Sequence, residues 1–402
     1  MKILVVTPIY PAEYNPTGTT PLVHYFTKKW VEQGHSVRVF DFCPKYPAPM
    51  IWGARMFKKL LVSKLGIVVP LMQPWDYDEN VDGVEIHHYG LSKYIPHGRF
   101  GKNAINRAIK EIEKSILQSK PDVIIGHWAN PTLDIVSQLG KKHVIPTCVV
   151  FHETGEEIKH YYGEETQAMI DSLSCIGFRS KPLKDDFERT FGVHKSFMAY
   201  SGVPENFLKE AAIVPEKNFE QIDNYVFIGS LMERKHPAEI LPALHQAYNG
   251  NDNFKMTYIG EGKESEKIKN YCKEYGISDN VKLTGRIPRN DIMEYLKKSE
   301  VFIMISRAEV FGLVYLEAMA FGCIPIASRG EGFDGIIENG VNGFLCEAGN
   351  VEELSRIIRS LKNMPRVDIL KISQNARETA MRFSDSLVAS NYIKDVQNQI
   401  NK

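Results

Sequence analysis

Glu309 and Glu317 stand eight positions apart in ISRAEVFGLVYLEAMAFGCIPIAS, residues 305–328. The run EVFIMIS before them reads as a strand that ends near Ser306. Glu309 then falls in the loop at the strand's carboxyl end. Gly312 allows close backbone approach and opens a helix that contains Glu317. A helix N-terminus offers unpaired N–H groups and a positive partial charge, which suits a diphosphate. The two carboxylates could accept hydrogen bonds from sugar hydroxyls. The plain alternative is a loop charge and a solvated helix charge. The phosphate-splitting motif G-x-x-x-x-G-K-[ST] is absent. Two histidines end strands, His127 in IIGHWANP and His152 in VVFHETG. Glu153, next to His152, is an alternative acceptor-side acid or base. A structural role is the competing reading for both histidines.

The elements that must hold these residues follow a β-α-β rhythm. Short apolar runs without alternation, such as KILVVTPIY, DVIIGHW and PTCVVFHE, suit strands covered on both faces. Helical stretches such as NAINRAIKEIEKSILQS lie between them. The rhythm pauses at residues 201–224, where two prolines and many polar residues suit a linker. It restarts with NYVFIGS, FKMTYIGEG, NVKLTGRI and EVFIMIS. The reading is two α/β domains with doubly wound parallel sheets, residues 1–201 and 202–382, plus a C-terminal helix over 383–402 that is expected to pack back on the N-terminal domain. In open α/β sheets ligands bind beyond the carboxyl ends of the strands. Two such sheets suggest a central cleft between facing carboxyl edges.

Composition narrows the function classes. The chain has 402 residues, 49 basic and 49 acidic side chains and no net formal charge. That length suits two or three domains. Zero net charge argues against a general nucleic-acid binder. No apolar run approaches the ~18–20 residues that span a bilayer. MKILVVTPIYP is too short for a signal peptide and reads as a buried strand, which places the protein in the cytoplasm. The six cysteines are scattered without metal-ligand spacing and read as reduced thiols. No metal constellation is visible.

The run EVFGLVYLEAMAFGCIPIAS resembles the signature of retaining glycosyltransferases of family 4, whose GT-B fold has two Rossmann-like domains. The resemblance extends over nearly the whole chain, through GHSVRVF, FIGSLMERKHP and YIGEGKESEKIKNYCKEYGISDNVKLTGRI. It implies that Glu309 contacts the donor sugar and Glu317 the ribose of a nucleotide. The backbone of Phe311, Gly312 and Leu313 would hold the donor phosphates. Lys235 matches the lysine that neutralises the diphosphate. Ser230 stands where an arginine is usual, with Arg234 as the candidate substitute. Gly260 and Gly262 would line the nucleotide pocket, and the segment from Gly285 to Ile287 would contact the base through its backbone. In the first loop, YNPTGTTP has Gly18 where the family often has paired glycines. His152 would lie beside the donor sugar and affect catalysis. His127 would lie in the acceptor-side loop.

The implied activity is hexose transfer with retention from a nucleotide diphosphate sugar to a glycan or lipid-linked acceptor. A UDP-sugar is favoured and a GDP-sugar is the alternative. The donor is a co-substrate, and no cofactor or metal is implied. Residues 49–70 mix Arg55, Lys58, Lys59 and Lys64 with Met56, Phe57, Leu60, Leu61 and Leu65. As a helix they would present a basic amphipathic face to anionic lipid at the inner side of a membrane. A helix packed on the N-terminal sheet is the alternative. A second function class is a catalytically weak nucleotide-sugar-binding subunit of a partner enzyme, and a third is a nucleotide-sugar epimerase.

Overall fold

In a computed structural model the chain divides into two units. The structure describes residues 1–13, 20–56, 74–95, 98–251 and 253–400. Unit 1 holds Met1–Arg179, Leu183–Ala199 and Val388–Lys402. Unit 2 holds Ser180–Pro182 and Tyr200–Leu387.

The sheet of unit 1 has eight strands: β1 (Lys2–Thr7), β2 (Ser36–Lys45), β3 (Tyr77–Val81), β4 (Val84–Ser92), β5 (Val123–His127), β6 (Thr147–Phe151), β7 (Cys175–Phe178) and β8 (Ser196–Met198). Their spatial order is β3-β4-β2-β1-β5-β6-β7-β8. Every residue of β5, β6 and β7 is buried, because helices cover both faces. The order reverses between β1 and β5, which makes that edge the switch point.

One strand departs from the all-parallel expectation. β3 pairs antiparallel with β4. Asp82 and Gly83 join them with φ of 54° and 81°. Asp-Gly is the residue pair that a two-residue type I′ turn needs, since both central residues take positive φ.

Unit 2 has six strands: β9 (Asn224–Ile228), β10 (Lys255–Ile259), β11 (Val281–Leu283), β12 (Val301–Met304), β13 (Ile324–Ser328) and β14 (Phe344–Cys346). All pair in parallel, in the order β11-β10-β9-β12-β13-β14. The switch point falls between β9 and β12. Segment 201–224, marked as a linker by its prolines, instead contains the helix Glu205–Ile213. Phe207, Leu208 and Ala211 of that helix join the core of unit 2. Pro204 precedes it and cannot obstruct a helix from that position, because the first N–H groups lack intrahelical partners anyway.

The C-terminal part of the chain forms two helices, Arg366–Met381 and Asp385–Ile400, and Val388–Lys402 belongs to unit 1. All six cysteines are buried free thiols. Among the described residues, no helix is long and apolar enough to cross a membrane. Of the basic stretch 49–70, residues 57–70 lie outside the described residues.

Candidate functional site

Unit 2 gathers Lys235, Arg234 and Glu309 at its switch point. β9 ends at Ile228, and the chain passes Ser230 into a short 3-10 turn, Glu233–Lys235. β12 ends at Met304, and its loop carries Glu309. Lys235 Nζ lies 3.3 Å from Glu309 Oε2, and Arg234 Nη1 lies 3.8 Å from the same oxygen. The Lys235 and Glu309 side chains are only 13% and 14% exposed. Their attraction is therefore less screened than that of a surface pair. Arg234 also donates to the Ala308 carbonyl at 3.3 Å. The side chain of Arg234 is thus turned to the Glu309 loop. Ser230 is exposed.

The main chain of Glu309 is held from the next loop. Its N–H donates to Glu331 Oε2 at 2.8 Å, and its carbonyl accepts from the Gly332 N–H at 2.8 Å. A Cβ on Gly332 would lie 2.4 Å from the Glu309 carbonyl oxygen, so the close approach needs glycine. Glu331 carries a positioning role that the sequence reading did not single out, because its partner is a backbone group 22 residues away.

Gly312 caps the helix Leu313–Ala320 in a left-handed conformation, with φ of 82°. A Cβ there would lie 2.5 Å from the Tyr315 ring. No side-chain hydrogen bond caps this helix, and the Tyr315 N–H already donates to the Gly312 carbonyl at 3.0 Å, so Leu313 and Val314 carry the N–H groups that a helix N-terminus can offer an anion. Phe311 is buried, and its ring packs against Tyr200 and Phe333.

Glu317 is not a solvated helix charge, for it is 4% exposed. Arg289 pairs with it, and the Arg289 Nε–H donates to Glu317 Oε1 at 2.9 Å. Arg289, another residue not foreseen, lies on a 3-10 turn that follows Gly285–Ile287.

Ser230, Gly260, Gly262 and Ile287 line a pocket of about 560 Å³ together with Arg286 and Ile292. That volume lies within the usual range for small-ligand pockets. The glycines have a structural cause. A Cβ on Gly260 would lie 1.9 Å from the Gly229 carbonyl oxygen, and one on Gly262 would lie 2.1 Å from that of Leu231. Gly285 bridges to Gly260, whose N–H donates to the Gly285 carbonyl at 2.9 Å. Ile287 is partly exposed and supplies an apolar wall.

Unit 1 brings His127, His152 and Glu153 together at the ends of β5 and β6. His127 does not lie in an acceptor-side loop. It is the last residue of β5 and is fully buried. Its Nδ1 lies 3.3 Å from His152 Nε2. The Trp128 ring stacks on His152 with centroids 4.0 Å apart, and Trp128 takes a left-handed φ of 63°. Glu153 ties the two strand exits by accepting from the N–H groups of Ala129 and His152, each at 3.0 Å. A capping box of Thr154 and Glu157 then starts the helix Gly155–Tyr162. Gly18 lies outside the described residues.

Burial lowers both histidines, with the Arg179 guanidinium adding to the effect, and His127 falls to about 3. Burial raises the Glu153 carboxyl to about 7. These shifts make stability depend on pH. Below about 6.5 the unfolded histidines take up protons that the folded ones cannot, so stability falls as pH drops. Glu153 works in the opposite sense, since its folded form holds a proton between about 4.5 and 7 that the unfolded form releases. Between them these three groups make stability fall as pH drops below about 6, while His88, which despite its burial is raised by Asp41 and Glu79, opposes the fall. Chemical denaturation of wild type and His127→Gln at pH 7, 6 and 5 isolates the share of His127. The variant should lose less stability on acidification than wild type.

Residues 209–380 match the family model described as glycosyl transferases group 1. An uncharacterised glycosyltransferase of Methanocaldococcus jannaschii is 27% identical over 352 residues, covering 85% of this chain and 93% of the relative. Sucrose-phosphate synthase from Thermosynechococcus elongatus superposes with a TM-score of 0.66 at 16% identity, over all of both chains. The Anabaena protein HepE in complex with UDP gives 0.67 at 16% identity, over 99% of this chain and all of that one. The chain therefore has the GT-B fold and carries a glycosyltransferase group 1 domain over residues 209–380.

Proposed function

We propose that the protein is a retaining hexosyltransferase that moves a hexose from a UDP-sugar to a glycan or lipid-linked acceptor without a metal ion. The observation that carries this reading is the Lys235–Glu309 pair beside the uncapped helix at Gly312. Unit 2 binds the donor. The diphosphate takes the helix N-terminus, and Lys235 exchanges Glu309 for a phosphate oxygen. Glu309 is then free to accept from the sugar hydroxyls. As the anomeric C–O bond breaks, negative charge grows on the leaving phosphate, where Lys235 and Arg234 stabilise it. The acceptor hydroxyl attacks the oxocarbenium-like sugar from the face the phosphate leaves, and the departing phosphate oxygen takes its proton.

Unit 1 carries the acceptor contacts, and His152 offers a neutral imidazole to substrate hydroxyls. The pocket at Gly260 and Ile287 takes the base mainly through backbone, which supports recognition by shape. UDP is favoured because HepE, of the same fold, is complexed with UDP. The basic stretch 49–70 supports an acceptor held at an anionic membrane surface.

Slow donor hydrolysis without acceptor, followed by proton NMR in EDTA, tests three parts of the reading. UDP-glucose should release α-glucose first, ahead of mutarotation. Release of β-glucose would refute retention. Loss of turnover in EDTA would refute metal independence, and turnover of GDP-mannose alone would refute the choice of base.

A further inference from the structure

Tyr392, His127 and His152 form a continuous buried chain in unit 1. Tyr392 lies in the Val388–Lys402 segment, 265 residues from His127. Its hydroxyl is 3.2 Å from His127 Nε2, and His127 Nδ1 is 3.3 Å from His152 Nε2. Three rings enclose the phenol: Trp30 and Phe197 at 5.0 Å and Phe26 at 5.2 Å between centroids. Trp30 Nε1–H donates to the Ala389 carbonyl at 3.0 Å, which fixes the helical turn that carries Tyr392. At the other end Trp128 covers one face of His152.

A count of protons decides which way this chain runs. Burial and Arg179 keep both imidazoles neutral at pH 7, so each has one N–H and one acceptor nitrogen. The phenol has one O–H in a dry site. Among the described residues, the acceptor at bonding distance from it is His127 Nε2. If His127 donated to Tyr392 instead, the phenolic proton would be left without an acceptor. Buried donors without acceptors are rare because they lose their hydration and gain nothing in return.

We propose that Tyr392 sets the tautomer of His152. Tyr392 O–H donates to His127 Nε2, and His127 Nδ1–H donates to His152 Nε2. His152 is left with its proton on Nδ1, as a hydrogen-bond donor to a substrate oxygen and not as a base. Tyr392 and His127 are positioning residues that act through His152. The link to catalysis rests on the substrate role assigned to His152 above, but the tautomer does not.

Long-range proton–nitrogen NMR on histidine-labelled protein at pH 7.5 tests the chain, with His152→Asn used to assign the signal. Wild type should show a protonated Nδ1 and an unprotonated Nε2 on His152. Tyr392→Phe keeps the ring packing and removes the proton at the head of the chain. It should populate the other tautomer and lower kcat about tenfold, with donor KM within about twofold. A protonated Nε2 on His152 in wild type, or an unchanged tautomer in Tyr392→Phe, would overturn the proposal. If the tautomer shifts as expected while His152→Ala keeps full activity, the chain stands and the substrate role of His152 fails.

Discussion

Lys235→Ala is expected to lower kcat by about 10²–10³-fold, with a smaller rise in donor KM. The asymmetry follows from what the lysine does before the donor arrives. It is already paired with Glu309 at 3.3 Å, so binding a ground-state diphosphate exchanges one anion for another. The net gain on binding is small. The gain grows when the sugar leaves and charge collects on the phosphate, and only interactions that strengthen in the transition state raise kcat. Arg234 cannot take over. Its guanidinium is 44% exposed, 3.8 Å from Glu309, and it also donates to Ala308. Lys235→Arg should recover only a small part. An arginine carries a planar five-donor fork in place of a compact ammonium, which does not reproduce the point charge that Lys235 presents to Glu309 at 13% exposure. Initial rates over a range of donor concentrations separate kcat from KM. A change confined to KM would mean that the lysine serves ground-state binding alone.

The fold was legible where a single segment carries its own signal. Continuous apolar runs such as VIIGH and TCVVF are buried on both faces, and the parallel order follows from the helices between them. The signal for the antiparallel strand β3 was also present, in Asp82–Gly83, but YDENV is a polar edge strand with no buried residue to mark it. The helix inside 201–224 was obscured because its prolines flank it rather than interrupt it. In the site, a motif places Glu309, Gly312 and Glu317 because one strand, one loop and one helix contain all three. Their partners are set by tertiary register. Arg289 reaches Glu317 from 28 residues away, and Glu331 reaches the Glu309 N–H from the following loop. His127 shows the converse. A histidine at a strand's carboxyl end suggests a ligand contact, yet here its ring turns into the core toward Tyr392. No local pattern records which way such a side chain turns.

Glu317→Ala should weaken UDP binding by roughly 10–100-fold, the loss expected when a charged acceptor of hydrogen bonds is removed. Two hydrogen bonds from Arg289 fall on Oε1, and Oε2 is the oxygen we assign to the ribose hydroxyl that the family resemblance implies. The same substitution also breaks a pair with one deeply buried member. Breaking a fully buried pair costs about 3–5 kcal/mol, but Arg289 is 35% exposed and can rehydrate, so about 1–3 kcal/mol is expected here. Lower affinity and lower stability would both reduce the melting temperature with UDP present, and must be separated. Binding to the native state adds RT ln(1 + [L]/Kd), about 2.7 kcal/mol at a hundred times Kd. A hundredfold weaker Kd at the same UDP concentration reduces that increment to about 0.4 kcal/mol. The UDP-dependent increment therefore tests the proposed ribose contact, and the UDP-free midpoint reports the ion pair. Arg289→Ala should give the opposite balance. It leaves the Glu317 carboxylate unpaired at 4% exposure, so the UDP-free midpoint should fall further while the increment is largely kept. If both variants lost the increment equally, Arg289 would itself be a nucleotide contact rather than the partner that holds Glu317 in place.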